Sequence, residues 1–233
     1  MGKIIKKVLI SIALVLIVGA GGFFIYTLDY YRADFDEATL IEDGITMVEN
    51  ENYIVQYPSR QVVTKGLIFY PGGKVEHKAY IPLLRELSRN GYLTVVVDMP
   101  FNLAVFDTKA ADDVIPDFPG IETWYIGGHS LGGAMASSYM SKSEYEIEGL
   151  VLLAAYPVEE HGEDVLVIYG ENDEILDLSK VDQSLDPVII SGGNHAFFGN
   201  YGLQKNDGIA TITREEQQDL TIGHIVEFIE GND

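Results

Sequence analysis

Ser130, Asp173 and His195 lie on three separate glycine-containing segments, and together their residue types can perform nucleophilic catalysis. Ser130 is the centre of Gly128-His129-Ser130-Leu131-Gly132, which matches the G-x-S-x-G pattern. A serine hydroxyl is a weak nucleophile, so it needs a base to remove its proton and an acid to orient that base. The pattern is typical of a sharp turn between a strand and a helix, where the serine oxygen stands clear of the backbone.

The residues around Ser130 favour such a turn. Trp124 to Ile126 is an apolar run with high β propensity, and small or apolar residues recur afterwards at helical spacing. The alternative is a turn of small residues that only packs a helix against a strand. Flanking segments of both kinds make the catalytic interpretation the stronger one.

His195 is the candidate general base. It follows the apolar run that ends at Ile190, in the turn Ser191-Gly192-Gly193-Asn194-His195. A histidine pKa near 6.5 suits proton transfer at neutral pH. His129 would leave the turn beside the serine rather than face it, and the remaining histidines fall on predicted helices or a short connection: His77, His161 and His224. The alternative role for His195 is a solvated loop residue.

Asp173 is the candidate acid. It follows the apolar run that ends at Tyr169, and it lies between the serine and the histidine in the chain. This order, with each residue after a strand, favours Asp173 over four other carboxylates: Asp98, Glu171, Glu174 and Asp177. An Asx turn at Asp173 would be compatible with the catalytic role.

Two backbone N–H groups are needed to stabilise the negative oxygen that forms when a carbonyl is attacked. Leu131, directly after the serine, can supply one. The second can come from Gly73, or failing that from Lys74, in the loop Tyr70-Pro71-Gly72-Gly73-Lys74. Four phenylalanines near strand ends could line a substrate pocket, although ordinary packing is the favoured interpretation: Phe101, Phe106, Phe197 and Phe198.

The elements that position these residues alternate along the chain. Six short apolar runs are typical of strands buried on both faces: residues 66–70, 93–97, 124–126, 150–153, 165–168 and 188–190. Helices are predicted at about 77–90, 108–115, 130–141 and 214–230, and an edge hairpin at 45–57. This order predicts an α/β protein with a mostly parallel sheet covered by helices on both faces. Only eleven residues separate Leu153 from Val165, so we expect no cap domain and an open site.

Residues 1–28 are predicted to form a transmembrane signal anchor. Three lysines precede Val8 to Leu28, which carry no charge and are long enough to cross a bilayer. The lysines place the N-terminus in the cytoplasm, so a linker at residues 29–43 and a domain at 44–233 would lie outside, at the cell membrane. Cleavage near Val18-Gly19-Ala20, followed by secretion, is the alternative.

Composition excludes several classes of partner and site. The net charge is −21, and after residue 28 the chain has 12 basic and 36 acidic residues, so it repels nucleic acid and anionic lipid headgroups. There is no cysteine, which excludes disulfides, thiolate catalysis and cysteine metal sites. No H-x-H or H-E-x-x-H spacing occurs, so we expect neither a metal nor a cofactor.

Four motifs together resemble the α/β-hydrolase superfamily, in particular its small capless bacterial members with an N-terminal membrane anchor: GHSLG, YPGG, GENDE and GGNHAFFG. The resemblance covers residues 45–230. It implies Ser130 as nucleophile, His195 as base and Asp173 as acid, with Gly73 and Leu131 as backbone donors. Pro71 stands where many relatives carry histidine in a His-Gly-x loop, which leaves the hydrogen bonding of this loop open.

The expected function is a serine hydrolase that forms an acyl-enzyme on a small or polymer-attached ester. Thioesters and amides are less favoured substrates. The alternative from another class is a binding or scaffolding protein that uses the same fold without its chemistry.

Overall fold

The computed structural model describes residues 2–36, 40, 44–162 and 164–231. Contacts divide the chain into two compact units, Met1–Tyr30 and Tyr31–Asp233. Residues 37–39 and 41–43 of the predicted linker lie outside the described residues.

The first unit is one helix, α1, over Gly2–Leu28. Its segment Ile4–Leu28 is 25 residues long and apolar enough to cross a membrane. At 1.5 Å per residue it would extend about 37 Å, more than the hydrocarbon thickness of a bilayer. Such a helix is compatible with a membrane anchor or with a signal sequence.

The second unit contains one sheet of eight strands in the order β1-β2-β4-β3-β5-β6-β7-β8. The β1–β2 and β2–β4 pairs are antiparallel, and all pairs from β4 to β8 are parallel, which confirms the predicted sheet with a hairpin at its edge. The strands are β1 Ile45–Glu49, β2 Tyr53–Pro58, β3 Lys65–Tyr70, β4 Leu93–Val97, β5 Thr123–His129, β6 Gly149–Leu153, β7 Val165–Gly170 and β8 Val188–Ile190.

Helices cover both faces of the sheet. The side chains of each buried strand alternate between two hydrophobic clusters, one on each face. Along β3, Ile68 belongs to one cluster, while Leu67 and Phe69 belong to the other. The first cluster includes side chains of α3 and α4, and the second includes side chains of α2 and α5. These helices are α2 Ile81–Arg89, α3 Ala111–Val114, α4 Leu131–Met140 and α5 Arg214–Gly231.

Two predicted helices differ in detail. The helix predicted at 108–115 is only four residues long and passes into a 3-10 turn at Ile115–Asp117, where Pro116 lacks the N–H needed to continue it. The helix predicted at 77–90 begins as a 3-10 turn, His77–Tyr80, and becomes α-helical as α2, with Pro82 in its first turn. The described residues of the connection between β6 and β7 form no helix, in agreement with a fold without a cap.

Residues 31–36, which we call the strap, contact the rest of the second unit although they belong to the predicted linker. The N–H of Tyr31 donates to the Lys74 carbonyl at 2.7 Å, and the N–H of Glu76 donates to the Tyr31 carbonyl at 2.9 Å. Farther along, the N–H of Asp34 donates to the Asn200 carbonyl at 2.7 Å. The strap therefore touches both the loop after β3 and the loop after β8.

Candidate active site

Ser130 lies alone between β5 and α4, on a sharp turn. Its backbone has φ 52° and ψ −119°, a conformation that costs a non-glycine residue about 1–3 kcal/mol. The N–H of Ser130 donates to the Leu153 carbonyl at 2.9 Å, which fixes the turn to β6. A Cβ atom at Gly132 would lie 2.2 Å from the Tyr70 carbonyl oxygen, so only glycine permits this approach of α4 to β3.

His195 and Asp173 form a buried pair at the carboxyl ends of β8 and β7. The distance from His195 Nδ1 to Asp173 Oδ2 is 2.8 Å. A carboxylate can only accept, so Nδ1 carries the proton and Nε2 presents a lone pair. The other oxygen of Asp173 accepts the N–H groups of Ile175 and Leu176, each at 2.8 Å, which fixes the carboxylate in an Asx turn.

Ser130 and His195 line one pocket of about 270 Å³. His195 Nε2 is buried and makes no hydrogen bond to any described residue, Ser130 included. The other lining side chains are alanines, aliphatic residues, one tyrosine and one exposed carboxylate: Leu131, Ala134, Ala154, Ala155, Tyr156, Ile175, Leu176 and Asp177. The structure therefore brings the predicted nucleophile and base to one apolar pocket without a hydrogen bond between them.

The loop after β3 leaves one N–H available beside the serine. The N–H of Gly72 donates to the Tyr80 hydroxyl at 3.0 Å, and that of Lys74 donates to the Asn102 carbonyl at 2.7 Å. The Gly73 N–H has no acceptor among the described residues. A Cβ atom at Gly73 would lie 2.9 Å from Leu131 Cδ2, so the two predicted donors are neighbours. Because the Lys74 N–H is already engaged, Gly73 is the better of the two candidates.

Leu131 is the first residue of α4, so its N–H has no helical carbonyl four residues earlier to bond with. The N-terminal end of this ten-residue helix carries a partial positive charge. A negative oxygen beside Ser130 would therefore meet both the free N–H and the favourable end of the helix dipole.

The other carboxylates considered from the sequence have different partners. Glu171 accepts from the N–H of Gly192 at 2.9 Å, and Asp98 lies 3.1 Å from His77 Nδ1. Asp177 lines the pocket but accepts from Ser179, and Glu174 is exposed. None of these four is a hydrogen-bond partner of His195 among the described residues.

Two residues that the sequence analysis missed hold the backbone around His195. Asp207 accepts the N–H groups of His195 and Ala196 at 3.2 and 2.9 Å. Gln217, on α5, accepts from the N–H of Asn194 and donates to its carbonyl. The one available signal was a glutamine on the buried side of a helix, since Gln217 has no exposed surface.

His129 is also missing from the predicted site, and it is 1% exposed. Its ring lies against His195, with 4.6 Å between ring centroids, and both of its nitrogens have partners. Burial and, to a smaller extent, electrostatic repulsion from His195 hold the pKa of His129 well below its usual value. A neutral imidazole therefore lies directly beside the candidate base.

None of the four phenylalanines considered from the sequence lines this pocket. Phe198 is buried, and Phe197 lies under the guanidinium of Arg214 at 4.9 Å. Phe101 and Phe106 are half exposed and contact each other with 5.6 Å between ring centroids. The part of the chain that the structure describes contains no group of three or more side chains placed to hold a metal ion.

Solved structures of similar fold come from several organisms. The carboxyl esterase 2 of Tuber melanosporum is 13% identical, with a TM-score of 0.60 over 86% of this chain and 90% of that chain. TT1662 from Thermus thermophilus is 14% identical, with a TM-score of 0.58 over 81% and 98%. Est1E from Butyrivibrio proteoclasticus is also 14% identical, with a TM-score of 0.56 over 81% and 100%.

A comparison with curated protein sequences gives no significant match. The model of the alpha/beta hydrolase family matches residues 66–219, which is more than half of the chain and includes Gly73, Ser130, Asp173 and His195. With its eight-stranded sheet and its serine turn between β5 and α4, this chain belongs to the α/β hydrolase family.

Proposed function

We propose that this protein is a serine hydrolase that cleaves carboxylic esters through an acyl-enzyme formed on Ser130. The observation that carries the proposal is the buried lone pair of His195 Nε2. It belongs to a histidine oriented by Asp173, and it has no described partner in a pocket whose wall includes Ser130. The esterases among the structural neighbours agree with this reaction class.

The chemistry divides into acylation and deacylation. His195 Nε2 takes the proton of Ser130 as Oγ attacks the ester carbonyl, and the new oxyanion accepts from the N–H groups of Gly73 and Leu131. His195 then gives the proton to the departing alkoxide, which leaves as an alcohol. A water molecule, deprotonated by the same nitrogen, attacks the acyl-enzyme and releases the carboxylic acid with Ser130 restored.

The hydrogen bond between Ser130 and His195 is expected to form when substrate binds. Catalytic hydrogen bonds are often long or poorly aligned in an empty site and tighten in the complex. The N–H of Ser130 donates to the Leu153 carbonyl and the Ser130 carbonyl accepts the N–H of Ala134, so the remaining adjustment is rotation of the Ser130 side chain.

The pocket favours a short, uncharged group on one side of the ester. At ~30 Å³ for a group the size of a water molecule, its 270 Å³ would hold about nine such groups, which limits the bound part of the substrate to about nine non-hydrogen atoms. Three alanines and three larger aliphatic side chains line it, and the exposed carboxylate of Asp177 at the rim disfavours an anionic group. Because the described residues form no cap over the sheet, the other side of the ester can be large or attached to a polymer.

We further propose that α1 anchors the protein in the cell membrane, with the second unit on the outer face. The support is an apolar helix preceded by lysines and followed by an acidic chain. Cysteine accessibility labelling of single-cysteine variants in intact cells would test this orientation, because the natural chain has no cysteine. Labelling of a cysteine in the second unit only after cell lysis would contradict it.

The catalytic proposal is tested by a fluorophosphonate probe and by hydrolysis of p-nitrophenyl esters. We expect the wild-type protein to be labelled and to hydrolyse acetate and butyrate esters, and Ser130→Ala to do neither. Matched thioester and anilide substrates separate the ester from the two less favoured substrate classes. An unreactive wild-type protein would favour the binding or scaffolding alternative, and labelling of Ser130→Ala would exclude Ser130 as nucleophile.

A further inference from the structure

A continuous chain of buried hydrogen bonds connects the loop after β3 to the loop after β8. The N–H of Gly72 donates to Tyr80 Oη at 3.0 Å, and Tyr80 Oη lies 2.8 Å from His129 Nδ1. On the other side of the imidazole, His129 Nε2 lies 3.1 Å from the carbonyl oxygen of His195. Gly72 precedes the candidate oxyanion donor Gly73, and His195 is the candidate base.

The partners determine which atom donates at each step. A carbonyl oxygen only accepts, so His129 Nε2 carries the proton. Nδ1 of the neutral ring then accepts, and the Tyr80 hydroxyl donates to it while accepting the N–H of Gly72. Tyr80 is fully buried and His129 nearly so, which means that a lost partner would leave an unpaired polar group away from water.

We propose that His129 is a positioning residue. It fixes the position of the loop after β3, which carries Gly73, relative to the loop after β8, which carries His195. This inference rests on the proposed function. His129 contacts no substrate in this assignment, because one nitrogen faces Tyr80 and the other faces the backbone of His195. It acts through Gly73 and through the ring of His195.

The packing around the ring supports this role. A Cβ atom at Gly72 would lie 2.7 Å from His129 Nδ1, so the loop after β3 rests directly on the imidazole edge. Phe198 and Tyr201 follow His195 in the chain. Their ring centroids lie 5.9 and 6.4 Å from the centroid of the His129 ring. Catalytic groups must be held within about 0.5 Å of their productive positions, so a side chain that contacts both loops affects both.

The neutral state of His129 is needed while His195 carries the transferred proton. The titratable groups that face the ring are His195, Tyr80 and Tyr201. A protonated His129 would place a second positive charge beside the imidazolium and would lose the acceptor for the Tyr80 hydroxyl. Burial and the neighbouring His195 both lower the pKa of His129, in agreement with this requirement.

Three variants of the full-length chain test the proposal: His129→Phe, His129→Gln and Tyr80→Phe. Phenylalanine keeps the ring but removes both hydrogen bonds, whereas the glutamine amide can still donate to the His195 carbonyl. We expect His129→Phe to lower kcat about 10- to 100-fold with KM changed less than ~3-fold, because misplaced catalytic groups affect the chemical step. His129→Gln should recover kcat to within about 5-fold of wild type, and Tyr80→Phe should fall between the two.

The double variant Tyr80→Phe/His129→Phe should be no slower than His129→Phe alone, because both changes break one chain. Tyr139→Phe is the matched control. It removes a hydroxyl bonded at 2.8 Å to Asp112, away from the pocket, and should leave kcat within about 2-fold.

Thermal unfolding of each variant distinguishes a loss of activity caused by misplaced catalytic groups from a loss caused by partial unfolding. The proposal is wrong if His129→Phe keeps wild-type kcat at a temperature where it is folded, or if glutamine restores no more activity than phenylalanine. Failure of the wild-type protein to react with the fluorophosphonate probe would instead overturn the proposed function itself.

Discussion

Ser130 has two different flanks, one formed by the loops after β3 and β8 and the other by the start of α4 and the loops after β6 and β7. On the first flank, polar groups are connected by buried hydrogen bonds that run from Gly72 through Tyr80 and His129 to His195. On the second flank, the pocket wall consists mainly of small and aliphatic side chains. This contrast predicts that the first flank determines the rate of the hydrolytic reaction and that the second flank determines which substrates fit.

The largest expected effect is at Asp173, which lies in the loop after β7 but acts on the polar flank through its hydrogen bond to His195. An amide in Asp173→Asn can donate to Nδ1 and hold His195 in the wrong tautomer, so we expect kcat to fall about 10³- to 10⁴-fold. The measurement is kcat on p-nitrophenyl butyrate, with burst kinetics to confirm that acylation is the slowed step.

Asp177→Asn is the matched control for this variant, since Asp177 lines the same pocket but bonds to Ser179. It should keep kcat within about 3-fold of wild type. Equal losses in both variants would remove the distinction between the two flanks.

The apolar flank is tested by filling the pocket at Ala134, on α4. Leucine is a good helix former, so Ala134→Leu should fold while occupying space in the 270 Å³ pocket. We expect kcat/KM for hexanoate esters to fall about 10- to 100-fold and that for acetate esters to change less than ~3-fold.

A parallel series of acetate esters with longer alcohols shows which side of the ester enters the pocket. If the discrimination appears in that series instead, the pocket binds the leaving group. An equal loss of kcat/KM for all esters of both series would mean that Ala134 affects the rate rather than the choice of substrate. That result would contradict the proposed difference between the two flanks.

The pH dependence of stability tests the polar flank without using activity. His129 titrates well below 6.5 when folded but near 6.5 when unfolded, so the unfolded state binds more protons as the pH falls through 6.5. This group therefore stabilises the folded protein above pH 6.5, and its contribution is lost below, with a slope approaching about 1.4 kcal/mol per pH unit.

Urea unfolding at pH 7.5, 6.0 and 5.0 measures this slope in wild type and in His129→Gln. The variant should show a shallower decline of unfolding free energy between pH 6.5 and 5, because glutamine does not titrate. The same slope in both proteins would mean that His129 is protonated in the folded state.

The smallest expected effect concerns the connection between β6 and β7, which borders the apolar flank. Ser137 Oγ is buried, lies 2.8 Å from His161 Nε2 and accepts the N–H of Val158 at 3.0 Å. Ser137→Ala should cost about 1 kcal/mol of unfolding free energy and leave kcat unchanged. Ser138→Ala, which removes a bond to exposed Lys142, should cost less than ~0.5 kcal/mol. A fall in kcat of more than about 3-fold in Ser137→Ala would show that this connection also affects the rate.

The strands and the fold class could be predicted because each buried strand of the parallel part of the sheet contains a short apolar run. The same regularity places Ser130, Asp173 and His195 after β5, β7 and β8. The partners that hold these residues could not be predicted, because Asp207 bonds to the backbone of His195 and Gln217 to that of Asn194 from segments with no motif of their own. The choice between Gly73 and Lys74 depends on the Asn102 carbonyl, which belongs to a different loop.

The strap affects where a shortened protein for assay or crystallisation should begin. A chain starting at Gly44, the boundary suggested by the first strand, would deprive the Lys74 carbonyl and the Glu76 N–H of their bonds to Tyr31. It would also remove the bond from the Ala33 N–H to the Glu76 carboxylate at 2.9 Å. Because these bonds adjoin Gly73, poor activity of such a truncated enzyme would say little about the intact one, and truncation at Asp29 keeps them all.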